Sequence, residues 1–219
     1  MSAAIDAGSN VITFTGGSLA AGASCTITFP VQTFNNTATG NRTNRIAVNA
    51  VTGTPPAGDP VKNLIAIAGT LVVTAPATAS KGFSPSSVPA GTDSLLTITV
   101  TRPNNAPAWA NFTITDNLPT GHTISPVVAA PAGTACIGTL TAPSAGTTIQ
   151  FASTPPPANN TSCTIRVNVR TPSGSAGTAT NTITPGQFVV SYVGGGSYSN
   201  NANITANITR VTASVTLTK

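Results

Sequence analysis

The sequence predicts an all-β chain made of tandem immunoglobulin-like β-sandwich domains. Three observations lead there. Short runs alternate Thr with Val or Ile, as half-buried strands do. Clusters of Pro, Gly and Asn separate these runs at roughly 8–12-residue spacing. No stretch keeps an apolar period of 3.6 residues, and 20 Gly and 18 Pro in 219 residues leave little room for helices.

Leu95–Val100 is the clearest strand: after Leu96, Ile98 and Val100 alternate with Thr97 and Thr99. The stretches 162–169 and 203–217 repeat the pattern. Turns are expected at Gly16-Gly17, Pro55-Pro56, Pro103-Asn104-Asn105, Pro155-Pro156-Pro157 and Gly194-Gly195-Gly196. Long Thr/Val strands with little charge also leave edges open to pairing with another chain.

Composition narrows the function. Hydrophobic residues make up 40% of the chain and charged residues only 6%. A disordered chain shows the reverse balance. The only acids are Asp6, Asp59, Asp93 and Asp116. The net charge of +5 comes from nine scattered Lys and Arg. Nucleic-acid binding needs a dense basic stripe, so no nucleic-acid partner is expected. No run of about 18 apolar residues is present, so no membrane-spanning segment is expected either. Met1 is followed by mid-pattern sequence, and the lack of a visible leader therefore says nothing about cellular address.

Two stretches of the chain read alike: Ser24-Cys25-Thr26-Ile27 and Ser162-Cys163-Thr164-Ile165. Their offset in numbering, from Cys25 to Cys163, is 138. Thr78–Lys81 and Thr216–Lys219 have the same offset. Thr43-Asn44-Arg45-Ile46 matches Thr180-Asn181-Thr182-Ile183 with a displacement of one residue. A fixed period of this length suggests one domain per repeat. Residues 1–76 then read as the C-terminal part of one truncated β-sandwich repeat. Residues 77–212 read as a complete repeat, and 213–219 as the first strand of a following one.

Cys136 and Cys163 flank a strand–turn–strand segment in the complete repeat. A disulfide between them would contribute about 3–4 kcal/mol on the chain-entropy estimate and would imply an oxidising compartment. The alternative is two buried thiols. Cys25 stands where Cys163 does, one repeat earlier, so it is expected to be unpaired or paired with a cysteine outside this chain.

Catalytic and metal chemistry find no support. The lone His122 has Asp116 six residues before it, but no G-x-S-x-G elbow accompanies them. His122 is read as a surface-loop residue. Four isolated Asp, one His and three Cys form no calcium or zinc set. No catalytic residue, metal or cofactor is expected. Trp109, the only Trp, is read as a core residue of the sandwich.

The runs Lys81-Gly82-Phe83-Ser84-Pro85, Val88-Pro89-Ala90-Gly91-Thr92, Leu96–Thr101 and Ile114-Thr115-Asp116-Asn117-Leu118-Pro119-Thr120-Gly121 resemble a bacterial surface repeat family. So do Ala21-Gly22-Ala23-Ser24-Cys25-Thr26 and Ala179-Thr180-Asn181-Thr182. The family is domain of unknown function eleven and its relatives. The resemblance implies immunoglobulin-like or prealbumin-like sandwiches, strung in tandem in large extracellular proteins of the bacterial cell surface. Low charge, a Thr/Asn surface, the disulfide and the tandem repeat fit a structural stalk or fibre module whose partners are neighbouring repeats or copies of itself; strand complementation at open edges would assemble it into a filament. The alternative is an adhesin that recognises a glycan, a host protein or another surface.

Sandwich modules of Gram-positive pilins and adhesins join a first-strand Lys to a last-strand Asn by an isopeptide bond, with a buried Asp or Glu as proton shuttle. The resemblance carries that chemistry to Lys81, Asp116 and Asn181. It needs a neutral Lys and a carboxyl group of raised pKa. Otherwise Lys81 would cap an exposed strand, Asp116 would form an Asx-turn and Asn181 would pack at a strand end.

Overall fold

The structure is a computed structural model that describes residues 2–6, 11–29, 31, 39–104, 106–126 and 137–212. Met1–Phe34 and Asn35–Lys219 form two compact units. All described secondary structure is β, which is the predicted fold class.

In the first unit, β1 (Ser2–Asp6) and β2 (Val11–Thr15) make an antiparallel hairpin. The second unit begins with two more hairpins. One pairs β3 (Gly40–Ile46) with β6 (Ile67–Val73), and the other pairs β4 (Thr52–Gly53) with β5 (Val61–Lys62).

A two-layer sandwich follows. Its smaller sheet holds β7 (Thr78–Ser84), β9 (Asp93–Arg102), β14 (Thr161–Arg170) and β11 (Thr123–Ile124), in the order β11-β14-β9-β7. The larger sheet is built on β10 (Trp109–Asn117). Along one path its order is β12-β13-β10-β15-β18-β8, with β12 (Gly138–Thr141), β13 (Thr148–Ser153), β15 (Gly177–Ile183), β18 (Ile204–Val211) and β8 (Ser87–Pro89). The strands β16 (Phe188–Tyr192) and β17 (Ser197–Ser199) extend the same sheet from β10.

The alternation read from sequence becomes the core. Within the smaller sheet, Leu96, Ile98 and Val100 of β9 lie opposite Val167, Ile165 and Cys163 of β14, all at most 1% exposed. Phe112, Phe151 and Phe188 meet from the other sheet, with ring centroids 5.6–6.2 Å apart. Trp109 is buried against Phe112, edge to face, as the sequence predicts. Their Thr neighbours point outward. On β15–β18 they pair across strands, Thr178 with Thr209 (3.0 Å) and Thr180 with Asn207 (2.8 Å). Such pairs supply polar surface without charge.

His122 departs from its reading as a surface-loop residue. It is 1% exposed, its Nδ1 lies 3.3 Å from the Thr120 carbonyl oxygen, and its Nε2 has no partner. The turn after β10 folds back under Pro172, which packs at Gly121, and carries the ring inward.

The pairing of residues 40–73 repeats that of the sandwich, strand for strand, at an offset of 137 in numbering. Gly40↔Val73 of β3–β6 corresponds to Gly177↔Arg210 of β15–β18. Thr52↔Lys62 corresponds to Val189↔Ser199 at the same offset. In the first unit, Ser2↔Thr15 corresponds in this way to Thr139↔Ala152. The offset of 138 read from Cys25 and Cys163 thus becomes 137 for the paired strands, a one-residue difference in the connecting chain.

Candidate functional site

The site is built at three core-facing strand positions that carry polar side chains. On β7, Ala79, Lys81 and Phe83 share the inward face, and Lys81 lies opposite Ile98. On β10, Phe112, Ile114 and Asp116 share the inward face, and Asp116 lies opposite Ile149. On β15, Asn181 and Ile183 point inward, and Asn181 lies opposite Ala206. A period of two forces this outcome: once the apolar residues on each strand face the core, the intervening polar one cannot turn away.

Lys81 Nζ donates to Asp116 Oδ2 at 2.7 Å, and both side chains are 0% exposed. Lys81 comes from the smaller sheet and Asp116 from the larger, so the contact spans the sandwich. Asn181 is also fully buried. Its Nδ2 donates to the carbonyl oxygen of Asn117, one peptide from Asp116, at 3.2 Å. The strands meet there through Asn117↔Thr182. Asp116 Oδ1 and Asn181 Oδ1 are both buried without a partner. These residues therefore form neither an exposed strand cap, nor an Asx-turn, nor simple strand-end packing.

Burial governs the electrostatics. Desolvation pushes the Lys81 ammonium below its ordinary pKa, against the pull of the Asp116 carboxylate. Desolvation also raises the Asp116 carboxyl, against the pull of Lys81. Both shifts lower the cost of moving the proton from nitrogen to oxygen, the transfer that would give a neutral amine and a neutral acid. A neutral amine is a nucleophile, and a protonated Asp116 can donate a hydrogen bond.

Cys25 is exposed and free. Cys163 is fully buried on β14, and Cys136, its expected partner, lies outside the described residues. His122 makes no hydrogen bond to Asp116. Among the described residues, no three His, Cys, Asp or Glu gather into a metal-binding group. No described helix is long and apolar enough to cross a membrane.

Sequence reading missed an asparagine clamp. Asn200 Oδ1 accepts from Phe188 N (2.9 Å), while its Nδ2 donates to the carbonyl oxygens of Thr184 (3.0 Å) and Ala202 (2.9 Å). Asn63 makes the same three bonds, to Val51 N, Ala47 O and Ile65 O, each at 2.8 Å. Every partner keeps the offset of 137 from its counterpart. The turn between matches too: Asn49 (φ 61) stands where Gly186 (φ 83) does, both being residues that accept a left-handed backbone. Aligning the chain with itself at 137 rather than 138 would have found both clamps.

Comparison with solved structures finds weak likenesses. The major pilin subunit of Bacillus cereus is 12% identical, with a TM-score of 0.43 over 68% of this chain and 50% of that one. A collagen adhesin from S. aureus is 11% identical, with a TM-score of 0.39 over 69% and 55%. A non-cellulosomal cohesin from the archaeon Archaeoglobus fulgidus is 12% identical, with a TM-score of 0.37 over 61% and 91%. This chain thus spans about half the length of the first two, and similarity at this level carries no functional weight. No curated protein matches the sequence. A family model does match, over residues 77–208, which contain Lys81, Asp116 and Asn181. No finding assigns the chain to domain eleven itself. The chain belongs to the family described as domain of unknown function DUF7933.

Proposed function

We propose that this chain is a structural stalk module of an exported bacterial surface protein, and that residues 77–212 form a repeat closed by an isopeptide bond between Lys81 and Asn181. The observation that carries this reading is the fully buried Lys81–Asp116 pair, 2.7 Å apart, beside an equally buried Asn181. A buried ion pair is a weak source of stability, because its desolvation cost offsets its attraction. Three polar groups at core positions of so uncharged a chain therefore favour a chemical role.

The reaction balances without a cofactor. The proton of Lys81 passes to Asp116. Neutral Nζ attacks Asn181 Cγ, while protonated Asp116 donates a hydrogen bond to the amide oxygen and raises the electrophilicity of its carbon. The C–Nδ2 bond breaks, a proton reaches the departing nitrogen through Asp116, and ammonia leaves. The product joins the first strand of one sheet to a late strand of the other.

A second staple is proposed between Cys136 and Cys163. Cys163 is fully buried on β14, and Cys25, the only other cysteine, is exposed and free.

Force spectroscopy tests the mechanical role. With both ends of the unit held, the bond shields the roughly 100 residues between its ends, which would otherwise add about 330–360 Å of extended chain. Under reducing conditions, which open any Cys136–Cys163 disulfide, the expected trace lacks that release, and an Asp116→Ala variant restores it. Full release from the native chain would contradict the proposal.

A further inference from the structure

We infer that Asn44 is a second acceptor of the same bond, and that the bare face of β3–β6 receives a segment with the chemistry of residues 77–137. The inference rests on the Lys81–Asn181 reading.

In the sandwich, β10 alone pairs with three hairpins: β12–β13, β15–β18 and β16–β17. It also carries Asp116. Three hairpins with the same registers, β1–β2, β3–β6 and β4–β5, occur one repeat earlier in the chain. Among the described residues, none of them pairs with a strand like β10. The consequence is visible side chain by side chain. Ile183, Phe188 and Ile208 are at most 1% exposed, while their counterparts Ile46, Val51 and Leu71 are 41%, 52% and 44% exposed. An apolar surface of this kind calls for a cover, and the chain contains its own example of one. Strands β7, β9 and β10 cover the later copy, and they lie within residues 77–137.

Asn44 occupies the acceptor position. It is the counterpart of Asn181 at the offset of 137, lies opposite Gly69 where Asn181 lies opposite Ala206, and is exposed. A covering segment would bring a lysine on its first strand and an aspartate on its β10-like strand to this amide. The same attack would then release a second ammonia, with Asn44 Nδ2 as the leaving nitrogen.

The test extends the protein by placing a second copy of residues 77–137 ahead of Met1, so that the copy runs into the hairpins at the register seen in the sandwich. Intact mass is read under reducing, denaturing conditions for both chains. The original chain should fall short of its sequence mass by one ammonia, about 17 Da, and the extended chain by two, about 34 Da. Asn44→Ala in the extended chain should return the deficit to one ammonia, as should Asn181→Ala. A deficit of one ammonia in both chains, removed only by Asn181→Ala, overturns the role of Asn44 and leaves the Lys81–Asn181 reading standing. No deficit in either chain overturns both.

Discussion

Residues 40–73 and residues 177–210 share strand registers, a positive-φ turn and an asparagine clamp, yet one set is exposed and the other is core. The difference teaches what each level of sequence encodes. Register is written locally, in turn residues and in Asn63 or Asn200, and survives without a core. Burial is written at a distance, by β10 and by the sheet that holds Lys81.

Mutations that break this contrast should differ sharply in cost. The largest effect is expected for Asp116→Ala, assayed with the Lys81–Asn181 bond absent. It leaves a buried ammonium without its partner, which costs about 3–5 kcal/mol, measured by chemical denaturation. Next comes Ile208→Ala, with an expected loss of about 2–5 kcal/mol for a buried aliphatic side chain. Its counterpart Leu71→Ala, 44% exposed, should stay within about 0.5 kcal/mol. Equal losses at the two positions would show that the face of β3–β6 is already covered.

The clamps should separate in the same way by a smaller amount. Asn200→Ala strands the amide of buried Phe188 and should cost about 1–3 kcal/mol. The equivalent Asn63→Ala leaves the Val51 amide in water and should cost little. Amide exchange at Phe188 and Val51 reads both.

The smallest effect is a pH dependence at Asp93. Hydrogen bonds from Arg170 (2.8 Å) and Ser125 (2.6 Å) hold its carboxyl below the ordinary range. Its folded-state pKa is therefore depressed. The stabilisation is present above the unfolded value and is lost as pH falls through the folded one. Since the pair is partly exposed, salt should weaken it. Urea midpoints between pH 5 and pH 2 should fall less steeply in Asp93→Asn than in the native chain.

Much of this was legible in the sequence. The period of two placed Leu96, Ile98 and Val100 inside, and the Pro and Gly clusters fell between strands. Lys81, Asp116 and Asn181 could be named from motif resemblance, but strand phase alone decides that all three face inward, and strand phase depends on the pairing of each strand. His122 was misread because its turn carries Thr and Gly, which look like surface; Pro172, far along the chain, closes over that turn. The clamps escaped notice because a lone Asn between turns reads as surface until its three partners are known.

The account stands most directly on the intact mass of the purified chain under reducing, denaturing conditions. It predicts a mass about 17 Da below that of the sequence, one ammonia, and the full sequence mass for Asn181→Ala and Asp116→Ala. A native chain with the full sequence mass would contradict it and leave Lys81, Asp116 and Asn181 as a buried polar cluster without chemistry.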